Sequence, residues 1–509
     1  MTGKAHQHAK PLRCMERFKM KDFVIGAWCP PSPSESNYRT YADAGFNLVM
    51  TERDYRNPDE EFELAEKLGL WVLLDTYMKN ETPWGGIEPD PPPDEPMHHR
   101  ARPAQLKWLI GRYGKSPALA GVLLGDDCGL ADHIIENAEY MLQAAPGLFP
   151  WYSINLDTAR QARAPIPMLS TQNYVFVIRT DEPEPVKRKA YCDQIERDRQ
   201  WVNANDMALW PWVICQPEAS PSQVRFQAYA CVAYGAQGLC YYYFKDNVWD
   251  AANQKPGPKH AVVSECNRYV SEIGPRLIGR RCVGVFHSPD AAENSSQGGS
   301  ARITLGVRLG DMTPELSREY GIPENVGLII SDVNTSLSAG RAGVLHGDVL
   351  VAIDGETITE WKQVVAMLRR HSAGDKVTLT VQRQSTGRLD IPAVLDPVPE
   401  VKPCPPGKDK FIRSMSDDLM AGLLVPEDRM SRPGALPDHV MVVDKRTVKP
   451  GEPEPPERDV FIEFAPEAGG VSVLAPDAKE TVTPGRSITL KLKPGAGVLV
   501  QLHPEEKGH

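Results

Sequence analysis

Eight short apolar runs alternate with longer segments of helical period between residues 23 and 280 of this 509-residue chain, and that alternation limits what the chain can fold into. The runs are residues 23–28, 46–52, 70–77, 119–125, 151–155, 168–174, 209–215 and 238–244. The helical patterns include residues 60–68, 105–113, 130–144 and 221–234. Strands taking turns with helices are the rhythm of βαβ units and a parallel sheet. Eight such units in about 250 residues have the size of a closed (β/α)8 barrel, the TIM-barrel architecture, expected over residues 20–280.

Beyond this region the chain changes character. The stretch Asn294-Ser-Ser-Gln-Gly-Gly-Ser300 reads as a flexible joint, and so does the proline-rich stretch 397–408. After the second joint come short alternating segments at 420–424, 440–443, 460–464, 471–474, 487–492 and 497–502, with turn residues between them. That spacing predicts a β-sandwich over residues 410–504, and the strand character of residues 282–287 assigns 281–290 to it as well.

Between the joints four phrases follow one another in order. They are Ile303-Thr-Leu-Gly-Val307, Ser336-Leu-Ser-Ala-Gly-Arg-Ala-Gly-Val344, His346-Gly-Asp-Val-Leu-Val-Ala-Ile-Asp-Gly355 and Gly374-Asp-Lys-Val-Thr-Leu-Thr-Val381. The series resembles a PDZ domain of the bacterial HtrA-protease type, spanning residues 300–397. The fold class expected is therefore multidomain: a (β/α)8 barrel, an inserted PDZ domain and a C-terminal β-sandwich.

A formal charge of -10 argues against a nucleic-acid partner, since neutralising phosphates takes clustered Lys and Arg. The ten cysteines show no C-x-x-C pair and are too sparse for a disulfide scaffold, so buried free thiols are expected. Residues 1–21 are basic and lack the apolar run of a secretory signal, and no stretch is long and apolar enough to span a bilayer. The compartment stays open, because relatives of such barrels are often exported. No cofactor is implied. Nor is a metal, since His98 and His99 are adjacent, point apart in extended backbone and have no third ligand at matching spacing. Gly-x-Ser-x-Gly is absent, which argues against a serine protease.

In a barrel the working side chains hang from the carboxyl ends of the strands. Those ends carry Trp28, Glu52, Asp75, Tyr77, Asp126, Asp127, Asn155, Gln172, Asn173, Tyr174, Gln216, Tyr243 and Lys245. Trp28, Tyr77, Trp84, Trp210, Trp212, Tyr243 and Trp249 offer flat apolar rings suited to sugar faces, although Trp210 and Trp212 alternate in one strand and serve packing as readily. The substrate-binding set expected is Trp28, Glu52, Asp75, Tyr77, Asn155, Asn173, Tyr174, Trp212, Gln216, Tyr243 and Lys245.

The stretch ending Gly-Val-Leu-Leu-Gly-Asp-Asp127 is similar to the fourth-strand region of glycoside-hydrolase-like barrels, which typically close on Leu-Gly-Asp-Glu-Pro. The resemblance implies a catalytic acid at Asp127, beside Asp126. This chain departs from the pattern with the shorter aspartate, with Cys128 in place of proline, and with Gln216 where a retaining enzyme carries its nucleophilic glutamate. An amide is neither nucleophile nor base, so a second carboxyl has to come from Glu218, Glu52 or Asp75.

PDZ domains add an extended peptide to an open sheet edge and capture its terminal carboxylate on loop amides. The resemblance places that loop at Thr304-Leu-Gly-Val307, with Leu305, Gly306 and Val307 at the peptide. The opposite wall is a helix over residues 360–370, N-capped by Thr359, with Trp361, Val364, Val365 and Leu368 on one face. Val364 and Leu368 complete the expected peptide-binding set.

Two functions are compatible with these readings. One is a carbohydrate-active barrel, an O-glycoside hydrolase or its degenerate relative, acting on a polysaccharide or oligosaccharide while the PDZ module docks a peptide or protein C-terminus. The other is a non-catalytic scaffold that binds glycan or protein and recruits a partner through the PDZ module.

Overall fold

The computed structural model describes residues 10–51, 58–75, 103–126, 132–161, 166–250, 252–290, 303–333, 337–368, 370–397, 411–430, 435–476, 480–483 and 486–503. They form two compact units, Met1–Asn294 with Lys402–His509, and Ser295–Val401.

The first unit opens with strands β1 (Val24–Ala27), β2 (Leu48–Met50), β3 (Trp71–Asp75), β4 (Leu119–Asp126), β5 (Phe149–Ser153), β6 (Met168–Leu169), β7 (Ala208–Leu209), β8 (Trp212–Ile214) and β9 (Gly238–Tyr242). Seven make one parallel sheet in the order β5-β4-β3-β2-β1-β9-β8, and β6 pairs in parallel with β7. A single parallel bridge joins Ser153 to Ser170 at the ends of β5 and β6. Beyond β6, the Trp212 amide donates to the Thr171 carbonyl at 2.9 Å. Helices α1 (Glu35–Asp43), α2 (Pro58–Leu68), α3 (Pro103–Tyr113), α4 (Asp132–Ala144), α5 (Leu156–Gln161), α6 (Val175–Ile178), α7 (Glu184–Ala204), α8 (Pro221–Ala233) and α9 (His260–Leu277) lie between or after these strands.

Both faces of the sheet are buried, which is why its strands read as unbroken apolar runs rather than as alternations. Side chains one residue apart leave on opposite faces. Ile25, Val49, Val72, Tyr152 and Val213 therefore join the helices in one core, while Val24, Leu48, Leu73, Trp151 and Trp212 build another. Leu12, Met15, Phe18 and Met20, which precede β1, complete the second core, and Phe18 meets Phe149 edge-on at 6.0 Å. Phe149 begins β5, so this contact fills the amino-terminal end of that core.

A short hairpin, β10 (Trp249–Asp250) with β11 (Lys255–Pro256), precedes α9, and β12 (Arg280–His287) follows it. The second unit contains β13 (Ile303–Thr304), β14 (Val307–Asp311), β15 (Leu328–Val333), β16 (Val349–Ile353), β17 (Glu356–Thr357), β18 (Lys376–Arg383), β19 (Gly387–Val394) and β20 (Asp396–Pro397). Its helices are α10 (Pro314–Tyr320), α11 (Ser338–Ala342) and α12 (Trp361–Leu368). The antiparallel order β14-β15-β16-β18-β19 puts β14 at an edge, and β13 pairs with β20. Under the sheet Leu328, Ile330, Leu350, Val364 and Val381 share a core. The turn at Gly347-Asp348 is pinned by charge. Asp348 is 1% exposed and accepts from Arg383 Nε at 2.7 Å and from the Leu345 amide at 2.9 Å.

The chain then returns to the first unit as β21 (Ile412–Met415), β22 (Leu419–Pro426), β23 (His439–Asp444), β24 (Arg458–Phe464), β25 (Gly470–Leu474), β26 (Glu480–Thr483), β27 (Ser487–Leu492) and β28 (Gly497–His503). One antiparallel sheet runs β12-β22-β23-β28-β25-β26 and another β21-β24-β27. Phe286, Leu423, Val442, Ile462, Leu490 and Val500 pack between them. Met420, Leu424, Met441 and Leu499, from alternate positions, belong instead to the core that holds the helices.

Helix α8 is the link between the two kinds of sheet. Its residues from 222 to 233 are all buried, the polar Ser222, Gln223, Arg225 and Gln227 included, so these side chains need partners inside the protein. Gln227 Nε2 donates to the Ile214 carbonyl at 3.0 Å on the parallel side. On the other side Gly422 lies so close that a Cβ there would stand 1.9 Å from the Ala233 carbonyl oxygen. Polar ties reinforce the contact: Arg225 reaches Glu454 and the Pro494 carbonyl, and Arg199 and Asn203 each donate to the Cys282 carbonyl at 2.8 Å. Among the described residues no helix is long and apolar enough to cross a membrane.

Candidate functional site

Residue parity sorts the side chains at the carboxyl ends of the parallel strands. Trp28, Met50 and Ile214 belong to the core opposite the helices, so Asp75, Ser153 and Tyr242, two residues beyond Leu73, Trp151 and Cys240, leave on that same face. Asp75 is 4% exposed and its amide donates to Thr51 Oγ1 at 2.9 Å. Tyr174, Tyr242 and Tyr243 are half-buried and pack against this core. Tyr174 and Tyr242 meet edge-on at 5.4 Å, Tyr242 and Trp212 at 6.3 Å, and Trp212 and Trp28 at 5.7 Å. Burial raises the Tyr243 phenol above its ordinary range, and the neighbouring Asp246 carboxylate adds to the effect.

Sequence reasoning did not find the polar bracket beside these rings. Gln172 Nε2 donates to Ser153 Oγ at 2.8 Å, the Tyr174 hydroxyl donates to Gln172 Oε1, and Gln194 of α7 donates to the Gln172 carbonyl at 3.1 Å. Gln172 and Tyr174 stand two residues apart at a strand end in the sequence, but Ser153 comes from β5 and Gln194 from α7, and no local pattern marks either as a neighbour.

The other expected residues fall as follows. Trp28 is 6% and Trp212 1% exposed, so both rings are mainly packing bulk, together with Trp151 and Trp210. Asn155, Asn173, Gln216 and Lys245 are half-buried, and Asn173 Oδ1 accepts from the Val175 amide at 3.2 Å at the start of α6. Glu218 is exposed on a short turn held by the Ala219 amide on the Gln216 carbonyl at 2.9 Å and by Lys259 on the Ala219 carbonyl. The backbone of Asp126 ends β4, opposite Ser153. Asp127, Glu52, Tyr77, Trp84, His98 and His99 lie outside the described residues.

One further acid emerges from α7. Asp198 is 1% exposed, accepts the Thr171 hydroxyl at 2.7 Å, and has its carboxyl pushed up to about 7 by burial, against the pull of Arg197 and Arg160. Thr171 has the parity of the helix-facing core, so Asp198 stands behind the strand and not among the rings.

In the second unit, Gly306 has φ +74, and a Cβ there would come 2.5 Å from Leu337 Cβ, so this position requires glycine on two counts. The Gly306 amide donates to Thr304 Oγ1 at 3.0 Å. The Thr304 carbonyl accepts from Ser338 Oγ at 2.9 Å, and the Leu305 carbonyl from the Ala339 amide at 2.9 Å. Ser338 Oγ in turn accepts from the Asp396 amide at 2.7 Å, and Arg341 pairs with Asp396 at 2.8 Å. The loop is thereby bolted to α11 and β20. Leu305 and Val364, expected at the peptide, are 3% and 4% exposed and pack in the core, whereas Gly306, Val307 and Leu368 are partly exposed. Helix α12 starts one residue later than expected. Its entry is held by Gln363 Oε1, which accepts the Thr359 amide at 2.7 Å, and Trp361 is 41% exposed.

Residues 304–389 match the sequence model of the PDZ domain family. A "Probable periplasmic serine endoprotease DegP-like" of Brucella suis is 28% identical over 89 residues, which cover 18% of this chain and 17% of that protein. The "Magnetosome formation protease MamE" of Paramagnetospirillum magneticum is 35% identical over 95 residues, 18% of this chain and 13% of its own. The chain thus spans less than a fifth of either relative. A solved beta-L-arabinopyranosidase of Geobacillus stearothermophilus aligns over 96% of this chain and 98% of its own at 8% identity and a TM-score of 0.38, too loose a likeness to support a structural or chemical argument. The second unit therefore contains an HtrA-like PDZ domain, in a multidomain chain whose other unit is built on a parallel sheet.

Proposed function

We propose that this chain couples a peptide-docking PDZ groove to a carbohydrate-active (β/α)8 barrel. In this reading the seven-strand parallel sheet, the β6 and β7 pair and the bridge from Ser153 to Ser170 complete one ring, with β7 and β8 as halves of a single strand. The two antiparallel sheets form a β-sandwich at residues 281–290 and 410–504, and the PDZ domain occupies residues 300–397 between its strands. The observation that carries the peptide half is the PDZ match together with the locked loop at Thr304-Leu-Gly-Val307 beside the edge strand β14. Val307 and Leu368, both partly exposed, supply apolar contacts for a last side chain.

The test is binding of the full chain to a fluorescent decapeptide pool of random sequence ending in valine, compared with the same pool amidated at its C-terminus. Saturable binding of the free-carboxylate pool alone supports the reading, with roughly tenfold loss in Leu368→Glu for an anion placed in the apolar wall. Equal behaviour of the two pools overturns it.

For the barrel, support comes from the uncharged aromatic and amide groups at the carboxyl ends of β5, β6 and β9. Asp127 is the acid this reading assigns, with Asp126 beside it, and Asp75, on the same face as the rings, is the second carboxyl it assigns. One observation favours the non-catalytic alternative: Glu218, the carboxyl nearest in sequence to Gln216, is exposed on a turn tied down by Lys259. A panel of oligosaccharides decides between them. Cleavage of one that Asp127→Asn abolishes establishes a hydrolase, and retention of a glycan without cleavage establishes the scaffold.

A further inference from the structure

The loop that would receive a peptide's carboxylate does not offer all of its backbone donors. In this fold a chain end is held by amide groups exposed at such a loop. Here the Gly306 amide is already spent on Thr304 Oγ1 at 3.0 Å. Several contacts keep it there. Leu337 packs against Gly306 closely enough to exclude a Cβ, the Thr304 carbonyl is held by Ser338, and the Leu305 carbonyl by the Ala339 amide. Thr304 is also paired with Asp396 across β13 and β20. Turning the Gly306 amide toward a ligand would mean breaking its bond to Thr304 in a loop whose neighbouring groups are fixed.

A threonine hydroxyl carries one proton and two lone pairs. At Thr304 one lone pair receives the Gly306 amide, and among the described residues no acceptor takes the proton. An amide that donates to a hydroxyl oxygen draws charge from it and makes its O–H a stronger donor. Thr304 is partly exposed at the end of β13, three residues before the edge strand β14 begins at Val307.

We propose that the Thr304 hydroxyl, backed by the Gly306 amide, is a direct donor to the terminal carboxylate of a docked peptide, so that this PDZ domain reads the chain end through a side chain as well as through its backbone. The inference rests on the peptide-docking reading above and adds a residue to it. Thr304 then contributes one charge-assisted hydrogen bond that a backbone-only loop lacks, and that bond depends on the hydroxyl and not on the size of the side chain.

The experiment uses the full chain, the valine-ended decapeptide pool and its amidated counterpart, with Thr304→Val and Thr304→Ser. Valine keeps the shape and removes the hydroxyl, and serine keeps the hydroxyl. Thr304→Val should bind the free-carboxylate pool roughly tenfold more weakly, moving toward the amidated level, while Thr304→Ser stays within about twofold of the parent. The unfolding temperature of each variant is measured alongside, so that a folding defect is not read as a lost contact. If Thr304→Val binds as well as the parent, or more tightly because the freed Gly306 amide takes the carboxylate itself, the assignment is wrong while peptide docking stands. If the parent itself does not distinguish the two pools, the docking reading fails and takes this inference with it.

Discussion

Asp198 illustrates how a single buried carboxyl can make the packing of a helix against a strand sensitive to pH. It accepts a hydrogen bond from Thr171, and the groups around it are Arg197 and Tyr191 on α7, Arg160 and Asp157 on α5, and Cys231 on α8. The folded chain holds this proton up to about pH 7, whereas an exposed aspartate releases it near 4. Because the folded state binds the extra proton, its contribution to stability is complete below about 4 and is lost as the pH rises through 7. Asp198→Asn keeps an acceptor for Thr171 and removes the titration. The variant should therefore unfold close to the parent at about pH 4 and hold to a higher temperature at about pH 8. A gap between the two melting curves that does not change with pH would refute this account.

At the scale of elements, α8 shows what glycine does where a helix lies against a sheet. Gly422 and Gly495 each leave room for α8 backbone, since a Cβ would meet the Ala233 carbonyl oxygen at 1.9 Å and the Ser222 carbonyl oxygen at 2.1 Å. Backbone cannot swing aside as a long side chain can, so Gly422→Ala should cost about 3 kcal/mol or more by overpacking. Gly470→Ala, where an added Cβ would meet nothing within 4 Å, should change the urea midpoint little. Equal midpoints for the two variants would show that α8 and the sheet can separate without cost. The longest helix, α7, escapes sequence reading for a related reason. It buries Lys187, Arg188, Glu196, Asp198 and Arg199, which find partners such as Glu184, Asp290 and the Cys282 carbonyl, so charged residues stand where a periodic pattern would show apolar ones. Strands β21 and β26 read Ile-Arg-Ser-Met and Glu-Thr-Val-Thr, so neither leaves an apolar run.

Over the whole molecule, the parallel strands and the PDZ domain are legible for different reasons. The strands of the sheet are buried on both faces and so leave apolar runs, and the PDZ loops need glycine or aspartate at fixed turns and so leave recognisable phrases. The site is only partly legible. Positions at strand ends can be named, but which of them meet across strands cannot, because Ser153 reaches Gln172 through the closeness of β5 and β6 and not by spacing. The same distance from sequence hides the point where the chain leaves the first unit and comes back. Ser288 and Leu419 are bound to each other through the Ser288 amide at 3.0 Å and the Leu419 amide at 2.8 Å, with Lys445 on the Ser288 carbonyl and Arg188 on Asp290. Departure and return are thus stitched side by side. Because Ser288 and Leu419 bond to each other directly, the closure of the first unit does not run through residues 295–401.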